Sequence, residues 1–322
     1  MQITRRHALA LAGAPLLAGP AIAAPRFPER QVTLVVPLAP GGGSDTQARV
    51  LARGLYERLG HPFIVVNRPG ANGYVGAQFV NDARPDGHTL MLQSAGSFIL
   101  AAMMRRQSLD PMADFVPVAQ IGELATSIMV KADGPYRTLA DLLADARARP
   151  GMLRWSHNGR GSFHHVAGVG FGQVAGLRLR DVPFDGGGPS RAAVIGGTVE
   201  FGFLGIQQVS GFEAALRILG VVSETRDPLL GEVPTLLELG LRTPLVTSPT
   251  VLYAPKGTPP DLTAQIAQEV ATVVGSEAYR AEVARLGLAP VFRDATATRA
   301  YLERLRAEAE PIMAELRMSA PR

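Results

Sequence analysis

The chain has 322 residues, 47% of them apolar and 19% charged, which supports more than one packed core and excludes an intrinsically disordered chain. Its net charge of +4 comes from scattered arginines, with Lys131 and Lys256 the only lysines, so the clustered basic face that nucleic-acid binding requires is absent. No cysteine occurs, which excludes disulfides, thiolate nucleophiles and cysteine-ligated metals and is compatible with export.

Thr4-Arg5-Arg6 is a positive leader segment, residues 8–19 are weakly apolar, and Ala21-Ile22-Ala23 is an A-x-A cleavage site. As a helix the apolar stretch would rise about 18 Å, short of a ~30 Å hydrocarbon core, so residues 1–23 read as a signal peptide and not as an anchor. The paired arginines suggest twin-arginine export; an ordinary secretory signal is the alternative.

From Gln31 onward strands and helices alternate. Val32, Leu34, Val35 and Val36 form a buried strand ending at Pro37. After a glycine-rich turn, Ala48, Leu51, Leu55 and Leu59 lie on one helical face, and Gly60 caps that helix. Residues 63–66 are a strand, Pro85-Asp86-Gly87 a turn, and 88–92 a further strand. This βαβαβ order predicts a parallel sheet with helices on both faces.

The alternation restarts with a helix from Thr138, a strand over 153–156, a second glycine-rich turn and a helix after Ser162. A strand over 178–182, a helix over 189–195 and strands over 199–203 and 218–222 complete this block. The chain returns through a strand at 251–254, and helices follow Pro255. The last carries Leu302, Leu305, Ala309, Ile312 and Leu316 as an apolar stripe, with Pro311 expected to kink or split it. Two doubly wound α/β lobes result, 26–124 plus 253–322 for the first and 125–252 for the second, joined by a hinge near Leu124 and Leu252.

The sharpest local feature is Pro37-Leu38-Ala39-Pro40-Gly41-Gly42-Gly43-Ser44-Asp45, between the first strand and the first helix. Glycines let backbone N–H groups turn outward, and a helix N-terminus carries about half a positive charge, so the turn is a candidate anion site. Asp45 would repel an anion, and its plain role is to stabilise the first helical turn. Ser156-His157-Asn158-Gly159-Arg160-Gly161-Ser162-Phe163-His164-His165 repeats the arrangement in the second block. Asp185-Gly186-Gly187-Gly188-Pro189 is a third such turn. Two of these facing each other across a cleft could grip one carboxylate.

Enzyme readings find little. The sequence has no G-x-S-x-G elbow and no G-x-x-x-x-G-K-[ST] phosphate loop. Gly168-Val169-Gly170-Phe171-Gly172 falls within a helix, not after a strand. Neighbouring helical residues point about 100° apart, so His164 and His165 are not placed to chelate one ion.

Together these segments resemble the receptors of the tripartite tricarboxylate transporter family, the Bug-type solute-binding proteins. The matching segments are Pro37 with Pro40-Gly41-Gly42-Gly43-Ser44-Asp45, Val66-Asn67-Arg68-Pro69-Gly70-Ala71-Asn72-Gly73 and Pro85-Asp86-Gly87-His88-Thr89-Leu90. Asp110-Pro111 with Asp114-Phe115-Val116-Pro117 follows, then Gly159, Gly161, Ser162 and His165, then Glu232-Val233-Pro234-Thr235 and Ala254-Pro255-Lys256-Gly257-Thr258-Pro259. The resemblance implies a type II periplasmic binding protein fold that closes on its ligand. It also implies that one ligand carboxylate is held by the first two loops, partly through bridging waters, before delivery to a two-component membrane permease. Carried over, the loop positions are Ala39, Gly42, Gly43 and Ser44 on one side and Ser162, Phe163 and His165 on the other.

The full candidate ligand-binding set adds Leu38, Asp45 and Ser94 in the first lobe and Phe184, Asp185, Gly186, Phe203 and Leu204 in the second. No catalytic residue, metal ligand or cofactor is expected, and the protein reads as a periplasmic monomer. Phe184-Asp185-Gly186 stands where relatives usually have Tyr-Lys-Gly, and Phe203-Leu204-Gly205 where they often have an Asp-Asn pair. Thr247-Ser248-Pro249 replaces a frequent tryptophan. Phe184, Phe203 and Leu204 would then wall the cleft, favouring a ligand with an anionic end and an uncharged, partly apolar body over an amino acid or citrate. Two other functions compete: a sensor subunit using the same binding fold, and an exported α/β hydrolase.

Overall fold

The β-branched run after Gln31 forms strand β1 (Val32–Val36) in a computed structural model that describes residues 27–318 apart from 39, 42, 71, 72, 105–107, 185 and 245. The signal-peptide reading therefore lies outside the described residues. Helix α1 (Gly43–Leu59) buries Ala48, Leu51, Ala52 and Leu55 and stops at Gly60, whose φ of 72° costs little only without a Cβ. Then come β2 (Phe63–Asn67), α2 (Tyr74–Asn81), β3 (Thr89–Ser94), α3 (Ala95–Met104) and β4 (Phe115–Leu124).

A second block begins with β5 (Thr126–Lys131) and α4 (Leu139–Ala148). Thr138 starts α4 through a reciprocal capping box with Asp141. The block continues through β6 (Arg154–His157), α5 (Phe163–Ala175), β7 (Arg180–Pro183), α6 (Gly187–Ile195), β8 (Phe201–Gly205) and β9 (Leu216–Val222). The chain then returns through β10 (Ser248–Pro255), α7 (Pro260–Gly275), α8 (Glu277–Arg285), β11 (Ala289–Arg293) and α9 (Ala295–Met318).

Two sheets result, ordered β11-β4-β10-β3-β1-β2 and β7-β6-β8-β5-β9. Strand pleating sends alternate side chains to opposite faces. Val32, Leu34 and Val36 pack with α1, α7 and α8, while Val35 meets α2, α3 and α9 from the other side. The second sheet is likewise covered by α4 and α5 on one face and α6 on the other. Each lobe is thus doubly wound. The C-terminal helix serves both: Leu302 and Leu305 pack in the first lobe, and Ala309, Ile312 and Met313 pack against Phe163 and Val166 of α5 and Leu100 of α3.

Several expectations need correction. The sheets are mixed: β10 pairs antiparallel with both β3 and β4, and β5 antiparallel with both β8 and β9. These strands carry the chain between lobes, so their direction follows from the crossing and not from a local βαβ repeat. Strand β10 joins the first sheet from Ser248 onward, so residues 248–252 lie in the sheet of the first lobe. Helix α9 is not split at Pro311 but continues through it. The proline removes one backbone bond, and burial of Ala309, Ile312 and Met313 around it holds the helix together. Among the described residues no helix is long and apolar enough to cross a membrane.

Candidate functional site

In each lobe, parallel strands direct their carboxyl ends to one edge, where glycine turns lead into helices. In the first lobe β1 ends in the turn before α1. Leu38 is half-buried, and its carbonyl accepts from Asn67 Nδ2 at 3.1 Å, so the end of β2 braces this turn. Gly43 opens α1 and is exposed, while Ser44 and Asp45 behind it are buried. Ala39 and Gly42 lie outside the described residues.

The Asp45 carboxylate does not stand free. It accepts from Gly41 N at 2.9 Å, Asn67 Nδ2 at 2.9 Å, and Arg49 Nε and Nη2 at 3.1 and 3.0 Å. Burial disfavours its charge, but Arg49, the Gly41 amide and Asn67 outweigh that and hold the carboxyl below the usual carboxylate range. Asp45 therefore ties Gly41, α1 and β2 into one unit.

A further strand-to-helix junction, which the sequence reading represented only by Ser94, lies beside it where β3 meets α3. Ser94 is buried and bonded through its hydroxyl to Ser248 Oγ on β10, and Ser97 N lies 3.4 Å from the same oxygen. A Cβ on Gly96 would collide with the Thr247 carbonyl oxygen. The helix end is pressed onto the β10 backbone, which a contact with no regular sequence spacing cannot announce.

The second turn follows β6. Ser162 caps α5 by accepting from His165 N at 3.2 Å. His165 Nδ1 accepts from Gly161 N at 3.0 Å, and His157 Nδ1 donates to the Gly159 carbonyl at 2.9 Å. Gly159 and Gly161 have φ of 103° and 77°, conformations suited to glycine. Burial, with His157 adding a smaller effect, pushes the His165 pKa down to about 4. The third turn is bonded to the second: Phe184 N donates to the His157 carbonyl at 3.0 Å, and Gly186 caps α6. Asp185 lies outside the described residues.

The expected apolar side chains are placed differently. Phe203 has no exposed surface and packs on Trp155 and Phe171, with ring centroids 5.4 and 5.5 Å away. Leu204 is equally enclosed, among Met129, Val194 and Leu216. Alternation along β8 sends them to the cores on opposite faces of the second sheet, so neither forms a cleft wall. Phe163 is turned into the cluster with Leu100 and Ile312, while half-buried Phe184 packs at the edge of the core beneath α6.

The neighbouring histidines diverge as helical geometry requires. His165 stacks on His157 with centroids 4.3 Å apart, whereas His164 lies against Phe163. His164 is buried, neither ring nitrogen has a partner among the described residues, and burial pushes its pKa down to about 3. Sequence reasoning missed a cluster: His157, His165 and Asp181 offer donor atoms within 4.8 Å of one another. They come from β6, α5 and β7, and only the parallel pairing of β6 with β7 brings Asp181 beside the histidines.

The fold and site can be set beside known proteins. BugT of Bordetella pertussis is 30% identical over 285 residues, 87% of this chain and 87% of that protein. A TctC solute-binding protein from Polaromonas superposes with a TM-score of 0.80 at 27% identity, covering 90% of this chain and 99% of that one. A Rhodopseudomonas palustris protein solved with adipate gives 0.76 at 29% identity, covering 92% and 100%. MatC from the same organism, solved with malate, gives 0.70 at 28%, covering 90% and 100%. The family model described as tripartite tricarboxylate transporter family receptor matches residues 47–318. The chain belongs to the tripartite tricarboxylate transporter receptors, a family of solute-binding proteins with the two-lobed periplasmic binding fold.

Proposed function

We propose that this receptor captures a small carboxylate between its lobes and hands it unmodified to a two-component membrane permease. The observation that carries this reading is the repetition of one device: a strand, a glycine turn and a helix N-terminus, once before α1 and once before α5. Each presents the positive end of a helix dipole and the amides of a first helical turn, the arrangement that attracts an anion. The adipate and malate seen in two structural neighbours supply the chemical class. Backbone amides of Gly42 and Gly43 with Ser44, and of Phe163 and His164 with Ser162, are the proposed contacts. The lobes, 26–124 plus 248–322 and 125–247, close about their crossing segments. The protein acts as a periplasmic monomer after removal of residues 1–23.

A thermal-shift panel of small mono- and dicarboxylates, including malate and adipate, tests the reading. At a hundredfold excess over Kd, binding stabilises the native state by about 2.7 kcal/mol, a Tm rise of roughly 4 °C for a chain of this size. A hit should be recovered chemically unchanged after long incubation. A panel without a single shift, or turnover of a bound member, would remove the carboxylate-receptor reading.

A further inference from the structure

The His157–His165–Asp181 cluster lies directly beneath the second glycine turn, and its hydrogen bonds fix the protons. A carbonyl oxygen only accepts, so His157 carries its hydrogen on Nδ1, 2.9 Å from Gly159 O. A backbone amide only donates, so His165 Nδ1 is bare, 3.0 Å from Gly161 N, and its hydrogen sits on Nε2. One imidazole thus holds the carbonyl of the turn and the other holds its amide. Asp181 Oδ2 lies 3.7 Å from His165 Nε2 and 3.4 Å from His157 Nε2, and Arg160 Nη2 approaches the same oxygen at 3.0 Å. Trp155 closes the apolar side, its ring stacked 5.9 Å from that of His165.

The three donors are spaced for a metal ion, but the proton positions argue against one. A metal-bound histidine donates its other ring N–H to a partner, as His157 does. His165 accepts at that position and so has no lone pair on Nε2. The same wiring gives Asp181 a different task. At 3.7 Å its carboxylate acts on His165 Nε2 as a nearby charge and not as a hydrogen-bond partner, favouring the proton there and keeping Nδ1 open for Gly161, while its shorter 3.4 Å contact is with His157 Nε2.

We propose that His157 and Asp181 are positioning residues for the anion-binding turn: without touching the ligand, they and His165 fix the directions of the Gly159 carbonyl and the Gly161 amide, and so set ligand affinity. The proposal rests on the carboxylate-receptor reading. His157 is faced by Asp181, Arg160, His165 and, more distantly, His164; His165 is faced by His157, Asp181 and Arg160. A second proton on His157 would land on Nε2 and leave the Gly159 bond intact. On His165 it must land on Nδ1 and break the Gly161 bond.

Long-range proton–nitrogen NMR on the ligand-free protein reads the tautomers directly. At pH 7 His157 should be the Nδ1–H form and His165 the Nε2–H form, and the Gly161 amide resonance should move in step with His165 protonation near pH 4. Asp181→Asn should mix the His165 tautomers and weaken the tightest carboxylate of the malate–adipate panel roughly tenfold. His157→Leu should weaken it similarly, and His157→Asn, whose amide can still donate to Gly159, should recover affinity to within about threefold of wild type. An Nδ1–H form of His165, or Zn²⁺ that shifts both imidazoles and raises Tm, overturns the wiring. Folded Asp181→Asn and His157→Leu proteins with wild-type affinity overturn the positioning role alone. A wild-type protein that shows the expected tautomers but binds no carboxylate overturns the receptor reading and, with it, the claim on affinity.

Discussion

Asp45 places a carboxylate in the first turn of the helix that should receive an anion, yet its oxygens are taken up by Gly41, Arg49 and Asn67. The sequence already allowed this structural role, because an acidic side chain suits a helix start; Arg49 one turn later was the additional signal. His164 and His165 are the opposite case, adjacent in sequence and divided in space. Both are nearly inaccessible and neutral in the folded state, with pKa values pushed down to about 3 and about 4. An unfolded histidine titrates near 6.5. Between that value and the folded pKa the unfolded chain binds the extra protons, so stability falls with falling pH and levels off below it. At pH 4.5 each residue should cost about 3 kcal/mol relative to pH 7.5. Urea unfolding at the two pH values measures this, and His164→Leu should remove about half of the combined effect. An unaltered pH dependence in that variant would show that His164 is charged or solvated in the native state.

Among the elements, those with a clean period were legible and those without were not. The β-branched run Val32–Val36 announced itself through composition, and the stripe of α1 through spacing. Helix α3 is apolar over most of its length and shows little one-sidedness, so nothing distinguished it from a buried strand. Strand β4 contains Pro117 and Gly122, and β11 is short and begins Ala289-Pro290, which are poor strand signals on their own. The glycine turns could be read, but the direction of side chains beyond them depended on which face of β8 met which helix, as Phe203 and Leu204 show. Glycines make a sharp test at this scale. Gly96→Ala would drive a methyl into the Thr247 carbonyl at the α3–β10 contact and should cost 1–3 kcal/mol or more. Gly188→Ala in α6 meets nothing within 4 Å and should be neutral or stabilise by about 0.5 kcal/mol. Denaturant midpoints at constant m-value compare them, and equal effects would contradict the placement of α3.

At the scale of the whole molecule, the lobes share more than the crossing segments. Ile312 and Met313 of α9 lie in one apolar cluster with Phe163 and Val166 of α5 and Leu100 of α3. Gln173 of α5 donates to Glu315 of α9 at 2.6 Å, and Arg304 of α9 pairs with Glu224, beyond β9, at 2.7 Å. The proposed closure would therefore have to turn about a packed helix as well as about the strands. Ile312→Ala should cost roughly 2–5 kcal/mol and uncouple the lobes, so that one calorimetric unfolding transition broadens or splits into two. A single sharp transition, merely shifted, would mean that the cluster stabilises the lobes without joining them.

The strand order also dictates when each lobe can be finished during synthesis. The second sheet draws all its strands from the continuous stretch between Thr126 and Val222. The first needs β10, inserted between β3 and β4, and β11 outside β4, both made after the second sheet's strands are complete. Domains generally fold as units while the chain emerges at ~5–20 residues per second. The lobe that begins first is thus the one completed last: β1, β2 and β3 must wait, with an unpaired edge, for a strand that is still to be translated.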